Sequence, residues 1–115
     1  AWVGATATDS MGFVAAHHEL IRVRASVRFI SFEPLLEPIN FPCYPLHVPL
    51  GECADWIILG AQSGPGCEKH WPRREWVEEL VEAVKRQKVK LFMKENLHGP
   101  FPDMTLIQEW PEVPK

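Results

Sequence analysis

The sequence predicts an α/β domain: a mostly parallel sheet of about four strands with flanking helices, resembling half of a (β/α) barrel. Three observations carry that expectation. Four short apolar runs, at residues 2–8, 28–34, 56–64 and 90–96, each end abruptly in polar or glycine-rich residues. Their apolar character is continuous rather than alternating, as in strands covered on both faces. Helical patterns separate the first run from the second and the third from the fourth, which implies parallel strands joined by right-handed crossovers. Ligands bind in such folds where the strands stop, so the polar run ends mark where a site should lie.

The 115 residues suffice for one small domain. A net charge of -3 and a pI near 5.9 argue against nonspecific nucleic-acid binding, although a local basic patch can hide within an acidic total. No apolar run is long enough to span a bilayer and no signal-peptide pattern opens the chain, so the expectation is a cytoplasmic protein with no membrane partner. The first run follows Ala1 without a lead-in, which reads as a piece of a larger protein.

Taking the elements in order, the first run is followed by a helical candidate over 10–24. Asp9 or Ser10 caps it, and Met11, Val14, His18 and Ile21 recur at helical spacing with Leu20 beside them. Gly12 weakens its start. After the second run, residues 34–54 carry prolines at 34, 38, 42, 45 and 49. Each ring removes an amide donor and obstructs the preceding turn, so this stretch reads as a long surface loop. The second helix has Pro72 as a first-turn proline and an apolar stripe of Trp76, Val77, Leu80, Val81 and Val84. Glu75, Glu78, Glu79 and Glu82 come early in it, and Lys85, Arg86 and Lys88 come late, an order that complements the helix dipole. Beyond the fourth run, Gly99 between Pro100 and Pro102 predicts a turn, and residues 104–110 a short strand or one helical turn. An open sheet of this kind leaves two strand edges and an apolar concave face, which invite pairing with a missing N-terminal half or with another copy.

The run ends bring Thr6, Thr8, Ser31, Glu33, Gln62, Ser63, Lys94 and Glu95 toward one rim if the sheet is parallel. Carboxylates, a lysine, an amide and hydroxyls suit binding of a polar ligand or proton exchange. The alternative is that strand ends are polar because they meet water, with Glu33 and Lys94 as a structural ion pair; the functional reading rests on Glu33 standing between Phe32 and Leu35, where a carboxylate is costly without a partner. Gly60, Gly64 and Gly66 make the stretch after the third run glycine-rich. It reads equally as a loop whose amides approach a ligand or as a sharp turn needing positive φ, and it matches neither a P-loop nor a dinucleotide fingerprint.

Cys43, Cys53 and Cys67 are odd in number and widely spaced, which reads as reduced thiols rather than disulfides. Together with His47 and His70 they also allow a small zinc module if four ligands converge. One of His17 and His18 faces the core at most. No Ser-His-Asp or Cys-His arrangement is present in the sequence, so no catalytic residue is assigned. Trp56, Trp71, Trp76 and Trp110 read as core or interface anchors, with Trp71 able to line a pocket beside the glycine loop.

Three ordered motifs carry a family resemblance: Phe29-Ile30-Ser31-Phe32-Glu33-Pro34-Leu35-Leu36-Glu37-Pro38-Ile39, then Asp55-Trp56-Ile57-Ile58-Leu59-Gly60-Ala61-Gln62-Ser63-Gly64-Pro65-Gly66, then Val89-Lys90-Leu91-Phe92-Met93-Lys94. Residues 1–97 resemble the later part of a phage-derived family of unknown function named after phage gene products thirty-seven and sixty-eight. Members of that family look like radical S-adenosylmethionine barrels with a three-cysteine cluster motif in their N-terminal part. The resemblance implies that this chain is the C-terminal half of such a barrel, inactive alone. S-adenosylmethionine and an iron–sulfur cluster would belong to the intact protein rather than to this chain. It also implies that Glu33, Gly60, Gln62, Ser63, Gly64 and Lys94 help bind cofactor or substrate. Two departures matter: Ala61 and Gln62 stand where the family loop has a glycine and a carboxylate, and Glu95-Asn96-Leu97 replaces its Gln-Trp-Gly. A glutamine cannot act as a general base, but it can hydrogen-bond a cofactor. The alternatives are a noncatalytic interaction or self-assembly module and the zinc module.

Overall fold

The computed structural model describes residues 1–39 and 50–112. Four strands, β1 (Trp2–Ala7), β2 (Val27–Phe32), β3 (Trp56–Leu59) and β4 (Lys90–Met93), form one sheet in the order β1-β2-β3-β4. All three pairings are parallel, as expected from the run–helix–run alternation. Helix α1 (Ser10–Leu20) links β1 to β2, and α2 (Arg74–Arg86) links β3 to β4. Each strand neighbours the next in sequence, so the sheet has no reversal of strand order of the kind that marks a doubly wound fold.

Side chains alternate across a strand, so the register sorts the sheet into two faces. Ala7, Ile30, Phe32, Ile57, Leu59, Leu91 and Met93 share one face, all buried. Both helices pack there: Phe13, Ala16 and Leu20 of α1 and Val77, Leu80 and Val84 of α2 join the same core cluster. The Phe13 and Phe32 rings lie 6.2 Å apart. The opposite face carries Trp2, Gly4 and Thr6 from β1, Phe29 and Ser31 from β2, Trp56 and Ile58 from β3, and Lys90 and Phe92 from β4. No described helix covers it. Instead its rings cover one another: Trp56 packs against Trp2, Phe29 and Phe92 with centroids 5.8, 6.1 and 6.0 Å away, and Trp110 stacks on it at 5.3 Å. The expectation of strands covered on both faces is thus met by described helices on one face only. The continuous apolar runs arise from an aliphatic face under helices and an aromatic face outside them.

The buried stripe of α1 also differs from the expected one. Phe13, Ala16, His17 and Leu20 are buried, whereas Met11 is 82% exposed and His18 faces solvent. Apolar residues surround this helix, so two stripes fit the helical period and only tertiary packing chooses between them. Asp9 is the N-cap, accepting from the Gly12 amide at 2.7 Å, so the helix starts at Ser10 despite Gly12 in its first turn. Helix α1 stops at Leu20, short of residue 24, and the Arg28 guanidinium donates to the Leu20 carbonyl at 3.4 Å. Pro72 lies just ahead of the N-cap Arg73, outside the first turn assigned to it. The expected stripe of α2 holds, with Val77, Leu80 and Val84 buried and Trp76 and Val81 partly so.

The tail after β4 takes the strand-like of its two expected forms, through an antiparallel bridge between Gln108 and Phe92. It occupies the outer edge of β4, so among the described residues only the edge at β1 is left without a neighbouring segment. Of the proline-rich stretch, residues 34–39 are irregular and a short turn of 3-10 helix spans Leu50–Glu52. Cys43, His47 and the prolines at 42, 45 and 49 lie outside the described residues.

Candidate functional site at the strand ends

The ladder continues one residue past the strands at their C-terminal ends. The Gly60 amide donates to the Phe32 carbonyl at 3.1 Å, and the Lys94 amide to the Leu59 carbonyl at 2.8 Å. This keeps Glu33, Gly60 and Lys94 side by side, on the aromatic rather than the helical face by alternation. Lys94 Nζ lies 2.9 Å from Glu33 Oε1, and Ser31 Oγ donates to the same oxygen at 2.8 Å. The pair bridges from β2 to β4 because the residue between them has no side chain. A Cβ on Gly60 would sit 2.8 Å from Glu33 Oε2 and 3.0 Å from Glu33 Cγ. Gly60 is therefore a glycine of close approach.

Both partners keep contact with solvent, the Lys94 side chain 44% exposed and that of Glu33 25%. An ion pair so placed contributes little to stability, and its groups can exchange each other for a ligand at small cost. A carboxylate, an ammonium and a hydroxyl within hydrogen-bonding distance can accept from, donate to and orient a polar or zwitterionic ligand.

The other expected rim residues divide. Gln62 is half-buried, Ser63 and Gly64 are exposed, and none makes a side-chain hydrogen bond with the described residues. Gly64 has φ 100° and Gly66 φ 76°, so these two glycines serve a turn of the left-handed kind. The structure brings together Glu33, Gly60 and Lys94, while no hydrogen bond ties Gln62, Ser63 or Gly64 to them. Thr6 is exposed on β1, and the Thr8 carbonyl accepts from the Leu36 amide at 2.9 Å, which draws the chain after Pro34 back over the end of β1.

Asn96 was not singled out by the sequence reading. Its Nδ2 donates to the Ala61 carbonyl at 2.6 Å, and its Oδ1 accepts from the Ala61 amide at 2.9 Å. That two-point clamp fixes Ala61, the second residue of the glycine-rich stretch, to the turn after β4. An amide pairing with a backbone 35 residues away leaves no local signature in the sequence.

Cys53 lies at the other end of β3. Its thiol is buried, donates to the Leu50 carbonyl at 3.4 Å, and is pushed by burial up to about 11. Cys67 is half-exposed in the 3-10 turn Cys67–His70. Among the described residues no three His, Cys, Asp or Glu side chains gather as metal ligands. Two concavities lie away from the rim: a groove of about 440 Å³ between α2 and residues 103–107, and one of about 410 Å³ beside Asp55 and Lys90 at the N-terminal strand ends. No helix among the described residues is long and apolar enough to cross a membrane.

A parallel α/β sheet with helices on one face and a charged pair at its C-terminal rim defines the class of protein. The chain belongs to a family of proteins of unknown function, DUF5131, whose model matches residues 1–108. No curated protein and no solved structure matches it.

Proposed function

We propose that this chain is the C-terminal half of a (β/α) barrel from a phage-derived, cytoplasmic protein of the radical S-adenosylmethionine type, and that its rim binds the cofactor or substrate. One observation carries the reading: Glu33 and Lys94, from β2 and β4, meet over Gly60 at the strand ends, open to solvent. The aminocarboxylate end of S-adenosylmethionine offers the complementary charges. Glu33 can accept from its ammonium and Lys94 can donate to its carboxylate, each group leaving the other for the ligand. When bound, S-adenosylmethionine supplies a sulfonium centre with a cleavable carbon–sulfur bond. The chain's own contribution is to hold and orient the ligand, with Ser31 steadying Glu33 and Gln62 and Ser63 close along the chain as hydrogen-bonding groups.

The iron–sulfur cluster does not fit the described residues. Cys53 is a buried, protonated thiol at the wrong end of the sheet, and Cys67 has no second thiol gathered with it. Cluster chemistry is therefore assigned to another part of the intact protein, and this chain alone is expected to be inactive.

The test is anaerobic iron–sulfur reconstitution of the intact gene product, followed by an assay for S-adenosylmethionine cleavage. Cleavage is expected, with E33Q and K94M each weakening cofactor or substrate binding at least tenfold. Absence of cleavage in a product with no cysteine triad ahead of Ala1 overturns the enzyme reading.

A further inference from the structure

Past the end of the sheet, β3 keeps an extended path after β4 has turned away, and a side chain closes the gap between them. In a strand the N–H and C=O of one residue point to the same neighbour, and those of the next residue to the other. The Leu59 carbonyl accepts from Lys94 on the β4 side, and the Gly60 amide donates to Phe32 on the β2 side. Alternation turns Ala61 back toward β4. By then β4 has ended: Lys94 is the N-cap of the 3-10 turn Glu95–His98, which is anchored by the fully buried Leu97. Asn96 Oδ1 accepts from the Ala61 amide at 2.9 Å, and its Nδ2 donates to the Ala61 carbonyl at 2.6 Å. One amide side chain thus takes both bonds that a strand backbone would have made.

Ala61 is buried in the core, so an extended chain returns the residue after it to the side of Gly60. That residue is Gln62, half-buried, next to the place where Glu33 and Lys94 meet over Gly60. Beyond it the chain stands clear of the body: residues 63–66 are exposed, and a Cβ on Gly64 or Gly66 would meet nothing within 4 Å. The far end comes down on the same turn, where a Cβ on Gly99 would lie 3.1 Å from Trp71 Cζ2. The glycine-rich loop therefore has both feet on the turn that directly follows Lys94.

We propose that Asn96 is a positioning residue for the rim: it stands in for the missing strand, carries β3 geometry one residue past Gly60, and so presents Gln62 as a third polar group beside Glu33 and Lys94. This rests on the rim being a ligand site and adds a requirement on the ligand. Glu33 takes a cation and Lys94 an anion, whereas the Gln62 amide is uncharged and both donates and accepts. The matching ligand carries an uncharged hydrogen-bonding group, such as a hydroxyl, in addition to its zwitterionic end. Asn96→Ala leaves the Ala61 amide and carbonyl without partners in a buried position, and the near foot of the loop is then free to leave the turn. Asn96→Asp keeps the oxygen that accepts from the Ala61 amide and loses the donor to its carbonyl.

A double-mutant cycle on the intact gene product tests this. S-adenosylmethionine, which has hydroxyls as well as a zwitterionic end, is the probe in equilibrium dialysis, and hydrogen–deuterium exchange gives a readout that needs no ligand. N96A should speed exchange of the Ala61 amide at least tenfold while the amides of β3 and β4 keep their rates. N96A and Q62A should each weaken binding about tenfold, the worth of one hydrogen bond, and the double variant should be no more than about twofold worse than either. N96D should fall between N96A and the unaltered protein, and it replaces N96A in the cycle if N96A does not fold. Losses that multiply in the double variant overturn the proposal, because Asn96 would then act by a route other than Gln62. So does an N96A protein that binds, or exchanges at Ala61, as the unaltered protein does. An unaltered protein that does not bind S-adenosylmethionine sinks the cofactor reading alone; the positioning by Asn96 then stands if N96A speeds Ala61 exchange and falls if it does not.

Discussion

The two faces of the sheet are made from the same four strands and obey different rules. On the helical side, Ile30, Phe32, Ile57, Leu59, Leu91 and Met93 are almost wholly removed from solvent and interlock with both helices. On the other side, large rings lie against one another but stay partly open, and the face ends in a charged pair. The first arrangement maximises buried area and so holds most of the stability. The second leaves peptide edge, ring surface and charge available, as a surface does when further structure or a ligand is to cover it. If this division is right, substitutions should separate cleanly into those that unfold the chain and those that disable it.

The largest effect is expected at Phe32, fully buried and packed on Phe13. Phe32→Ala removes a ring that the surrounding side chains cannot replace, and should cost about 3–5 kcal/mol in chemical denaturation. A loss below about 1 kcal/mol would mean that the helical face does not carry the fold.

Cys53 probes the same core through pH. Burial holds its folded pKa near 11 against an ordinary 9.0. Because the folded value is raised, its contribution to stability is complete below pH 9 and disappears as pH climbs toward 11. Denaturation midpoints should fall over that window, and Cys53→Ala should flatten the fall. At pH 8 iodoacetamide should label Cys67 in the native protein and spare Cys53, as read by peptide mass spectrometry.

Gly60→Ala tests the place where the two rules meet. The new methyl would crowd Glu33 from 2.8 Å. The carboxylate can swing aside but its stem cannot move as freely, so the stability cost should be about 1 kcal/mol, at the low end for overpacking. Ligand binding at the rim should be lost, because the Glu33–Lys94 geometry depends on that gap. Trp110→Ala should cost about 1 kcal/mol or less, since the ring is 64% exposed and contributes mainly its stacking on Trp56.

What could be read beforehand follows the same division. Strand positions, their parallel order and the meeting of Glu33 with Lys94 were legible because each depends on local composition and on where a run stops. The buried stripe of α1 was not, because Met11, Val14 and Ile21 repeat at the same period as Phe13, Ala16 and Leu20, and packing on Phe32 selects the second set. The pairing of residues 107–109 with β4 and the Asn96 clamp on Ala61 join segments far apart in sequence, and nothing local announces them. Gly60, Gly64 and Gly66 looked like one motif and serve two purposes, close approach at the first and left-handed backbone at the others.

Lys94→Met should have the smallest effect on folding and one of the largest on binding. The ammonium is 44% exposed and its partner carboxylate 25%, so water replaces much of what the pair provides and the stability change should stay within about 1 kcal/mol. Methionine keeps the aliphatic stem against the rim, so packing is conserved and the charge alone is removed. Glu33 then retains its hydrogen bond from Ser31 but loses the cation that would receive an anionic ligand group. A normal denaturation curve with S-adenosylmethionine binding at least tenfold weaker, measured by equilibrium dialysis on the intact protein, is the expected outcome. A variant that binds as the unaltered protein does would place the ligand elsewhere. One that unfolds would show that the charged rim belongs to the core's rule after all, and the distinction between the two faces would fail at its most exposed point.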